Sequence, residues 1–406
     1  MTNPIYDPYQ VLFPIYSAGT HLKQALSSAM IEEVNRAKTV KTVYGVLEED
    51  GYLSLCIKTF APKAPKLPIR VILKIALYHI LFLKKSRYAV TDFAVELVKK
   101  LGKGGAAGFV NAFLRGFDES KVVLPKGDEG LAVRYGFPLF AVQKIRREYG
   151  ERTTSILSAR SAGVTVRFAK NEEAYLSAKH TDMPFPHTYL FERFAREEGF
   201  SRGDYTFQSI GSIAICDIVP PCASLLDACA APGGKSVLLA DKCEKVTSFE
   251  LYPHRVALIE SYASRMGKTL TIVQKDSSVY DERYRESFDG VLCDVPCSGL
   301  GTVAENPDLK LNKTEEDFRK LKEVQTAILH TCSRYLKKGG ALVYSTCSLL
   351  REENDDIVRT LIEEGWTADE IDSPLPHEKK EYGLQFLPDK AFGAGFYVAR
   401  LRHGKD

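Results

Sequence analysis

From about Thr206 to the end of the chain, short apolar runs alternate with amphipathic stretches, and this rhythm leaves few folds open. ASLLDACAA, KVTSFEL, LTIVQKD, FDGVLCDVP, GALVYSTCS and the terminal FYVARLRH read as strands. GKSVLLADK, HRVALIESYASRMG, EEDFRKLKEVQTAILHTCSRYLKKGG and ENDDIVRTLIEEG read as the helices between them. The alternation predicts a mostly parallel sheet covered on both faces, an α/β Rossmann-like domain over 206–406. In such open sheets, ligands bind beyond the carboxyl ends of the strands.

The preceding chain has a different texture. Over 1–128, apolar positions recur at helical spacing in HLKQALSSAMIEEVNRA and IRVILKIALYHILFL, the second after a Pro-rich entry. Thr91 with Glu96 opens TDFAVELVKKL, the glycines of GKGGAAG end it, and GFVNAFLRGF follows as a further helix. A small all-α bundle is expected there. Residues 129–205 are mixed: YGFPLFAVQKIRREYG reads as a helix, VTVRF as a strand, and MPFPHTYLFERF as an aromatic, proline-punctuated segment. This part is expected to be a connecting subdomain, and its function is not visible from pattern alone.

Charge adds a partner. Lys58 to Lys126 carries 14 Lys or Arg against 4 Asp or Glu, a local net of +10 in a chain of +3 overall, which leaves about −7 elsewhere. A concentrated basic segment suits a polyanion; solvated helix faces are the plainer reading. No apolar run reaches the ~18 residues of a membrane helix, and MTNPIYDPYQ lacks the features of a secretory signal. The nine cysteines are scattered without C-x-x-C pairs, which points to reduced thiols, no metal and a cytoplasmic setting. A monomer is the expected state.

The small-molecule signal is LLDACAAPGGKS, Leu225 to Ser236. Gly233 and Gly234 let backbone approach a ligand, and the following helix start offers free N–H groups. The loop is neither G-x-G-x-x-G nor a Walker A sequence, which argues against dinucleotides and nucleoside triphosphates. Glu250 at the tip of the second strand can accept bonds from a ribose diol, and Asp276 ends the third. Loop, acid and acid fit S-adenosylmethionine, a nucleoside bearing a sulfonium rather than phosphates. The alternative, a tight β-α turn with Glu250 solvated, weakens once Glu250, Asp276 and Asp294 stand at three strand ends. Lys235 has two readings: it meets the cofactor carboxylate or organises Asp294, or it is simply a solvated first-turn lysine, although a lysine there opposes the helix dipole.

Two cysteines follow strand ends among small or hydroxylated residues, Cys297 in DVPCSG and Cys347 in STCS. Carbon 5 of cytosine takes a methyl group poorly unless a thiolate first adds at carbon 6. A carboxyl group at ring nitrogen 3 stabilises the adduct, and a base must later remove the carbon 5 proton. Two thiols and Asp294 suit these tasks, and spacing alone leaves open which sulfur attacks. The other cysteines (56, 216, 222, 243, 293, 332 and largely 229) read as inert small hydrophobes.

DACAAPGGK, FELYPHR, DVPCSG and STCS, in this order, resemble the Sun/Fmu (RsmB-type) family of RNA cytosine-carbon-5 methyltransferases over about 207–402. AAGFVNAFLRGF is similar to the NusB-like RNA-binding domain that this subfamily carries. The resemblance implies that Cys347 is the nucleophile, that Cys297 assists release, and that Asp294 engages the base beside the cofactor. It implies that Cys229, Ala230, Ala231, Pro232, Gly233, Gly234 and Lys235 form the cofactor loop. Glu250 becomes the ribose acid, Arg255 an ordering arginine and Asp276 the acid near adenine. In DNA cytosine methyltransferases the attacking cysteine lies in the PCS-type motif, so the STCS cysteine points to RNA. Three departures stand out: Glu250 replaces the usual Asp, Ser209 replaces a frequent Asp, and SARSAGVTVRF lacks an Asn-Arg-Pro run. The expected substrate is small-subunit ribosomal RNA; transfer RNA, or a non-catalytic assembly factor with a vestigial methyltransferase fold, are the alternatives.

Overall fold

The computed structural model describes residues 3–311 and 313–403; positions 1–2 and 404–406, at the ends of the expected first and last domains, lie outside the described residues. The chain forms two compact units, Met1–Ser158 with Asn306–Thr314, and Ala159–Glu305 with Glu315–Asp406.

The first unit is helical: α1 (Tyr6–Ala18), α2 (Leu22–Ser28), α3 (Glu33–Glu48), α4 (Asp50–Phe60), α5 (Leu67–Leu81), α6 (Arg87–Lys100), α7 (Ala107–Gly116), α8 (Gly127–Tyr135), α9 (Leu139–Tyr149) and α10 (Thr153–Ser158). Apolar nearly all round, α5 is the core helix and packs on α1, α3, α4, α6 and α7. Gly45 of α3 lets the Tyr78 ring come close; a Cβ there would lie 2.0 Å from it. Lys74, buried on α5, is ion-paired with Asp50, which also accepts from Tyr16. Burial holds His79 neutral, its pKa lowered to about 4.

Two local expectations change. The run expected as one helix from His21 breaks between α2 and α3, where Ala29 is extended and Met30 faces solvent. Ser27 turns its hydroxyl back onto the Gln24 carbonyl, the competition that weakens helix ends. Thr91 does not open α6 but lies inside it, its hydroxyl donating to the Arg87 carbonyl at 2.7 Å. By packing, α8 to α10 belong with the helical unit, α8 lying on α4, whereas the sequence placed 129–158 in the connecting segment.

The helical unit also takes in a late piece of chain, 306–314. Asp308 accepts from the Leu22 amide at 3.1 Å. Lys310, 4% exposed, donates to the carbonyls of Glu48 at 2.8 Å and Tyr135 at 2.7 Å. Lys310→Met keeps the stem but strands two part-buried acceptors, so urea unfolding should show this unit weakened by about 1–3 kcal/mol; a loss below about 0.5 kcal/mol would contradict the tether.

The second unit begins with an antiparallel sheet of order β2-β3-β1-β4, built from β1 (Val164–Phe168), β2 (His180–Asp182), β3 (Thr188–Phe191) and β4 (Tyr205–Phe207). Phe168, Phe191 and Tyr205 form its aromatic core, and α11 (Glu198–Ser201) precedes β4.

Next come α12 (Ile210–Ile218), β5 (Ser224–Asp227), α13 (Gly234–Leu239), β6 (Lys245–Glu250), α14 (Pro253–Arg265), β7 (Thr271–Gln274), β8 (Phe288–Asp294), α15 (Glu315–Ser333), β9 (Leu336–Thr346), α16 (Asp355–Ile362), β10 (Trp366–Ala368), β11 (Glu378–Lys379), β12 (Leu384–Phe386) and β13 (Phe396–His403). The nine-stranded sheet has order β11-β12-β13-β9-β8-β5-β6-β7, with β10 also on β13. β9, β8, β5, β6 and β7 are mutually parallel; β10 to β13 add antiparallel pairs. The sheet is therefore mixed. One face packs against α12, the other against α15 and α16. RYLKKGG, expected as the end of a helix, instead opens β9 from Leu336, through an irregularity between its pairings at Phe288 and Gly290.

Strand order reverses at β5, which has β6 on one side and β8 on the other. That reversal opens a crevice at the carboxyl edge, where the expected site residues lie.

Candidate active site

Strand register brings the two cysteine loops together. β8 and β9 are parallel neighbours with Asp294 opposite Ser345, so the chain leaves both strands at one edge. The Val295 amide donates to the Ser345 carbonyl at 3.1 Å, and the Ser345 hydroxyl to Asp294 Oδ1 at 2.8 Å. The result is a Cys297 Sγ to Cys347 Sγ separation of 3.1 Å, with the Cys347 amide 3.2 Å from Cys297 Sγ.

The pair is electrically unequal. Donation from the Cys297 thiol lowers the pKa of Cys347, against the cost of burial, and Thr302 and Lys235 add to the lowering. Cys297 is driven the other way by the same bond, by burial and by the Cys347 charge. The two shifts run in opposite directions, down for Cys347 and up for Cys297.

Asp294 Oδ2 lies 2.6 Å from Lys235 Nζ. Burial opposes the Lys235 ammonium, but Asp294 outweighs it and holds its pKa above the ordinary value. Of the sequence readings of Lys235, the structure displays the one in which it organises Asp294.

Cys229 to Gly234 form the turn from β5 into α13. The Ala230 amide bonds the Phe249 carbonyl of β6, and the Gly233 amide closes onto Ala230 at 2.7 Å. Gly233 has φ +104°, and a Cβ there would come 3.1 Å from the Ile259 backbone, so glycine is required. Burial pushes the Cys229 thiol up, in keeping with an inert side chain. Glu250 ends β6, 4% exposed. Its Oε1 accepts from the Tyr252 amide at 3.0 Å and lies 3.6 Å from Arg255, which also donates to the Ala231 carbonyl at 3.2 Å. Asp276 sits just past β7, its Oδ1 accepting from the Ser278 amide and hydroxyl. Cys297, Cys347, Asp294 and Lys235 thus make one cluster, and the loop with Glu250 and Arg255 makes a second along the same edge. Asp276 stands at the end of the next strand, outside both sets of bonds. Among the described residues no His, Cys, Asp or Glu group could hold a metal ion, and no helix is long and apolar enough to cross a membrane.

A family model described as 16S rRNA methyltransferase RsmB/F matches residues 221–402, and the NusB family model matches 9–119. The chain is 31% identical to the probable ribosomal RNA small subunit methyltransferase B of Bacillus subtilis (strain 168), over 94% of its own length and 93% of that protein's. The chain belongs to the RsmB/F family of 16S rRNA methyltransferases. Ribosomal RNA small subunit methyltransferase B of Vibrio cholerae is 26% identical over 96% of this chain and 95% of its own. Among solved structures, PH0851 is similar with TM-score 0.87 at 20% identity, covering 98% of both chains. NSun6 from Pyrococcus horikoshii, solved with SFG, gives 0.58 at 19% identity, covering 66% of this chain and 99% of that one. At these identities the two structures bear on fold alone: a helical region followed by a methyltransferase domain.

The sequence reading of this RsmB/F chain missed the residues that brace the two motifs. Glu353 and Asn354, read there only as the start of a helix, are fully buried behind the cysteines. The Glu353 carboxylate accepts from the Ser298 amide at 2.8 Å, from Gln325 Nε2 at 3.0 Å and from the Ser348 hydroxyl. Asn354 accepts from Thr346 at 2.6 Å and donates to Ser348 O at 3.3 Å and Gln385 at 2.9 Å. Gly301 passes under the Cys347 carbonyl, where a Cβ would lie 2.1 Å from Gly395 O. Gln208 donates to the Gly234 carbonyl at 3.0 Å. A signal existed for Glu353: an acid six residues after a cysteine, before an amphipathic helix. Nothing in one sequence marks Gln208 or Gln325.

Asp227 was also missed. Buried at the end of β5, it accepts from Ser236 at 2.6 Å, and Ser236 accepts from Ser248 at 2.9 Å, tying the loop to β6. Burial raises its pKa from 3.8 to about 6, against the Ser236 bond. The folded chain therefore holds the proton that the unfolded chain releases between about pH 4 and 6. This contribution is fully present below pH 4 and is lost as pH rises through 6, about 3 kcal/mol in all. Urea unfolding at pH 4 and pH 7 should show that decline, and Asp227→Asn should remove this component and flatten the profile. Parallel profiles for the two proteins would refute the assignment.

Proposed function

We propose that this chain transfers a methyl group from S-adenosylmethionine to carbon 5 of a cytosine in small-subunit (16S) ribosomal RNA, through a covalent adduct on Cys347. The observation that carries the reading is the thiol pair, Cys297 Sγ and Cys347 Sγ 3.1 Å apart, with Asp294 at the neighbouring strand end. Family membership supports the methyl transfer and the ribosomal substrate.

The Cys347 thiolate adds to carbon 6, and the ring electrons shift onto carbon 5. Asp294, held by Lys235 and Ser345, is the group assigned to bond ring nitrogen 3, where the adduct gains charge. When bound, the cofactor supplies the electrophilic methyl group. Loss of the carbon 5 proton to a base returns those electrons to the ring, and the carbon 6–sulfur bond breaks to restore the thiolate. Cys297, whose sulfur lies 3.1 Å from the Cys347 sulfur, is the group assigned to assist that release.

The residues present fit the cofactor. The Gly233 turn leaves no room for a side chain, so backbone lies bare at the edge. Glu250 commits Oε1 to its own chain, which leaves Oε2 to accept from a ribose diol. Cys229 to Lys235, Glu250, Arg255, Asp276 and Asp294 are the residues assigned to hold it. The NusB match over 9–119 and the +10 segment support RNA binding, largely through phosphates. The target cytosine would be presented unpaired or flipped.

Cys347→Ala should lower methylation by several orders of magnitude. Cys297→Ala should instead accumulate a protein–RNA adduct that survives a denaturing gel. Bisulfite sequencing of 16S ribosomal RNA, with and without the gene, reads the product. Methylation by Cys347→Ala, or absence of adduct with Cys297→Ala, would overturn the roles; an unchanged 16S pattern would redirect the substrate to transfer RNA.

A further inference from the structure

Behind the thiols lies a carboxylate that the chemistry above does not use. Glu353 is 0% exposed, and no cation pairs with it among the described residues. An ionised carboxyl group at such a depth is costly unless hydrogen bonds compensate it, and bonds to a charged acceptor are the stronger kind. Its three donors come from three different places. The Ser298 amide follows Cys297, the Ser348 hydroxyl follows Cys347, and Gln325 stands on α15. Gln325 also donates to the Pro296 carbonyl at 2.9 Å, on the other side of Cys297. One side chain thereby grips both cysteine loops, each at the residue next to its sulfur.

The wiring between the loops has a direction. The Ser298 hydroxyl donates to Ser348 Oγ at 3.3 Å, the Leu350 amide donates to the same oxygen at 3.1 Å, and the proton of Ser348 goes to Glu353. Both incoming donors fit only while Ser348 spends its own proton on an acceptor. The charge also reaches the sulfurs: after the Cys347 bond, burial and the Cys347 charge, the Glu353 carboxylate adds to what keeps the proton on Cys297. Asn354, the next residue, holds the Cys347 side alone, bonding the Thr346 strand end, the Ser348 carbonyl and Gln385.

We propose that Glu353 is a positioning residue that holds the Cys297 and Cys347 loops at thiol-to-thiol hydrogen-bonding distance. The inference rests on the thiol roles proposed above, but it makes a claim about the free protein that needs no RNA. Glu353→Gln keeps the size and one acceptor oxygen. It removes the charge, and its amide points at Ser348 Oγ, which then meets three donors and has no acceptor for its own proton.

The test uses the full-length chain and iodoacetamide, with labelling of Cys297 and Cys347 mapped by mass spectrometry from pH 6 to 9. In the parent, Cys347 should react first. In Glu353→Gln the preference for Cys347 should fall about tenfold or more, and the adduct of Cys297→Ala, made again with Glu353→Gln, should form more slowly at unchanged RNA affinity. An unchanged labelling ratio with a cooperative thermal melt would overturn the proposal. Should Glu353→Gln fail to fold, Ser348→Ala decides. A reduced Cys347 preference in that variant supports the brace, and an unchanged one refutes it. If Cys347→Ala still methylates, the catalytic reading falls, and the labelling ratio still reports on Glu353 alone.

Discussion

The site depends on one strand pairing, β8 against β9 in parallel, with Asp294 opposite Ser345. Parallel neighbours end at the same edge, so the motifs that follow them are forced into contact although fifty residues separate the two cysteines. A slip of one residue would turn every side chain of β9 to the other face, and Ser345 could no longer reach Asp294. Buried residues on both faces fix the register: Leu292 and Val343 lie on one side, Val291, Cys293, Leu342 and Tyr344 on the other. Hydrophobic packing thus sets a sulfur-to-sulfur distance.

Much of this was legible in the sequence because its signals are local. The six longer strands announce themselves as apolar runs, and α13 to α16 as amphipathic stretches. The glycine turn, Glu250 and the two cysteine motifs sit where their strands end, so a correct reading of the strands locates them. The RsmB/F resemblance was also legible, since it rests on contiguous motifs.

What escaped was non-local or short. β10, β11 and β12 have two or three residues each; β10 and β12 exist because β13 offers an edge to pair with, and β11 because β12 does. Leu336 to Gly340 looked like the end of a helix, since Lys337 and Lys338 favour one there, yet β8 recruits the segment as a strand. Gln208, Gln325 and Asp227 are polar side chains whose partners lie 9 to 28 residues away or more, and burial alone makes their bonds matter. Spacing left open which sulfur would attack for the same reason: the contact between Cys297 and Cys347 belongs to neither motif.

The late segment 306–314 has a consequence for synthesis. A ribosome that has finished α10 has made every helix of the first unit, but about 150 residues remain before Asn306. At about 5–20 residues per second that is an interval of about 7–30 s. Throughout it, the carbonyls of Glu48 and Tyr135 await Lys310, and the Leu22 amide awaits Asp308. The helical unit is first in sequence and yet cannot be first to complete. Its last contacts form only after the Cys297 loop has emerged, so the first unit matures no earlier than the middle of the second.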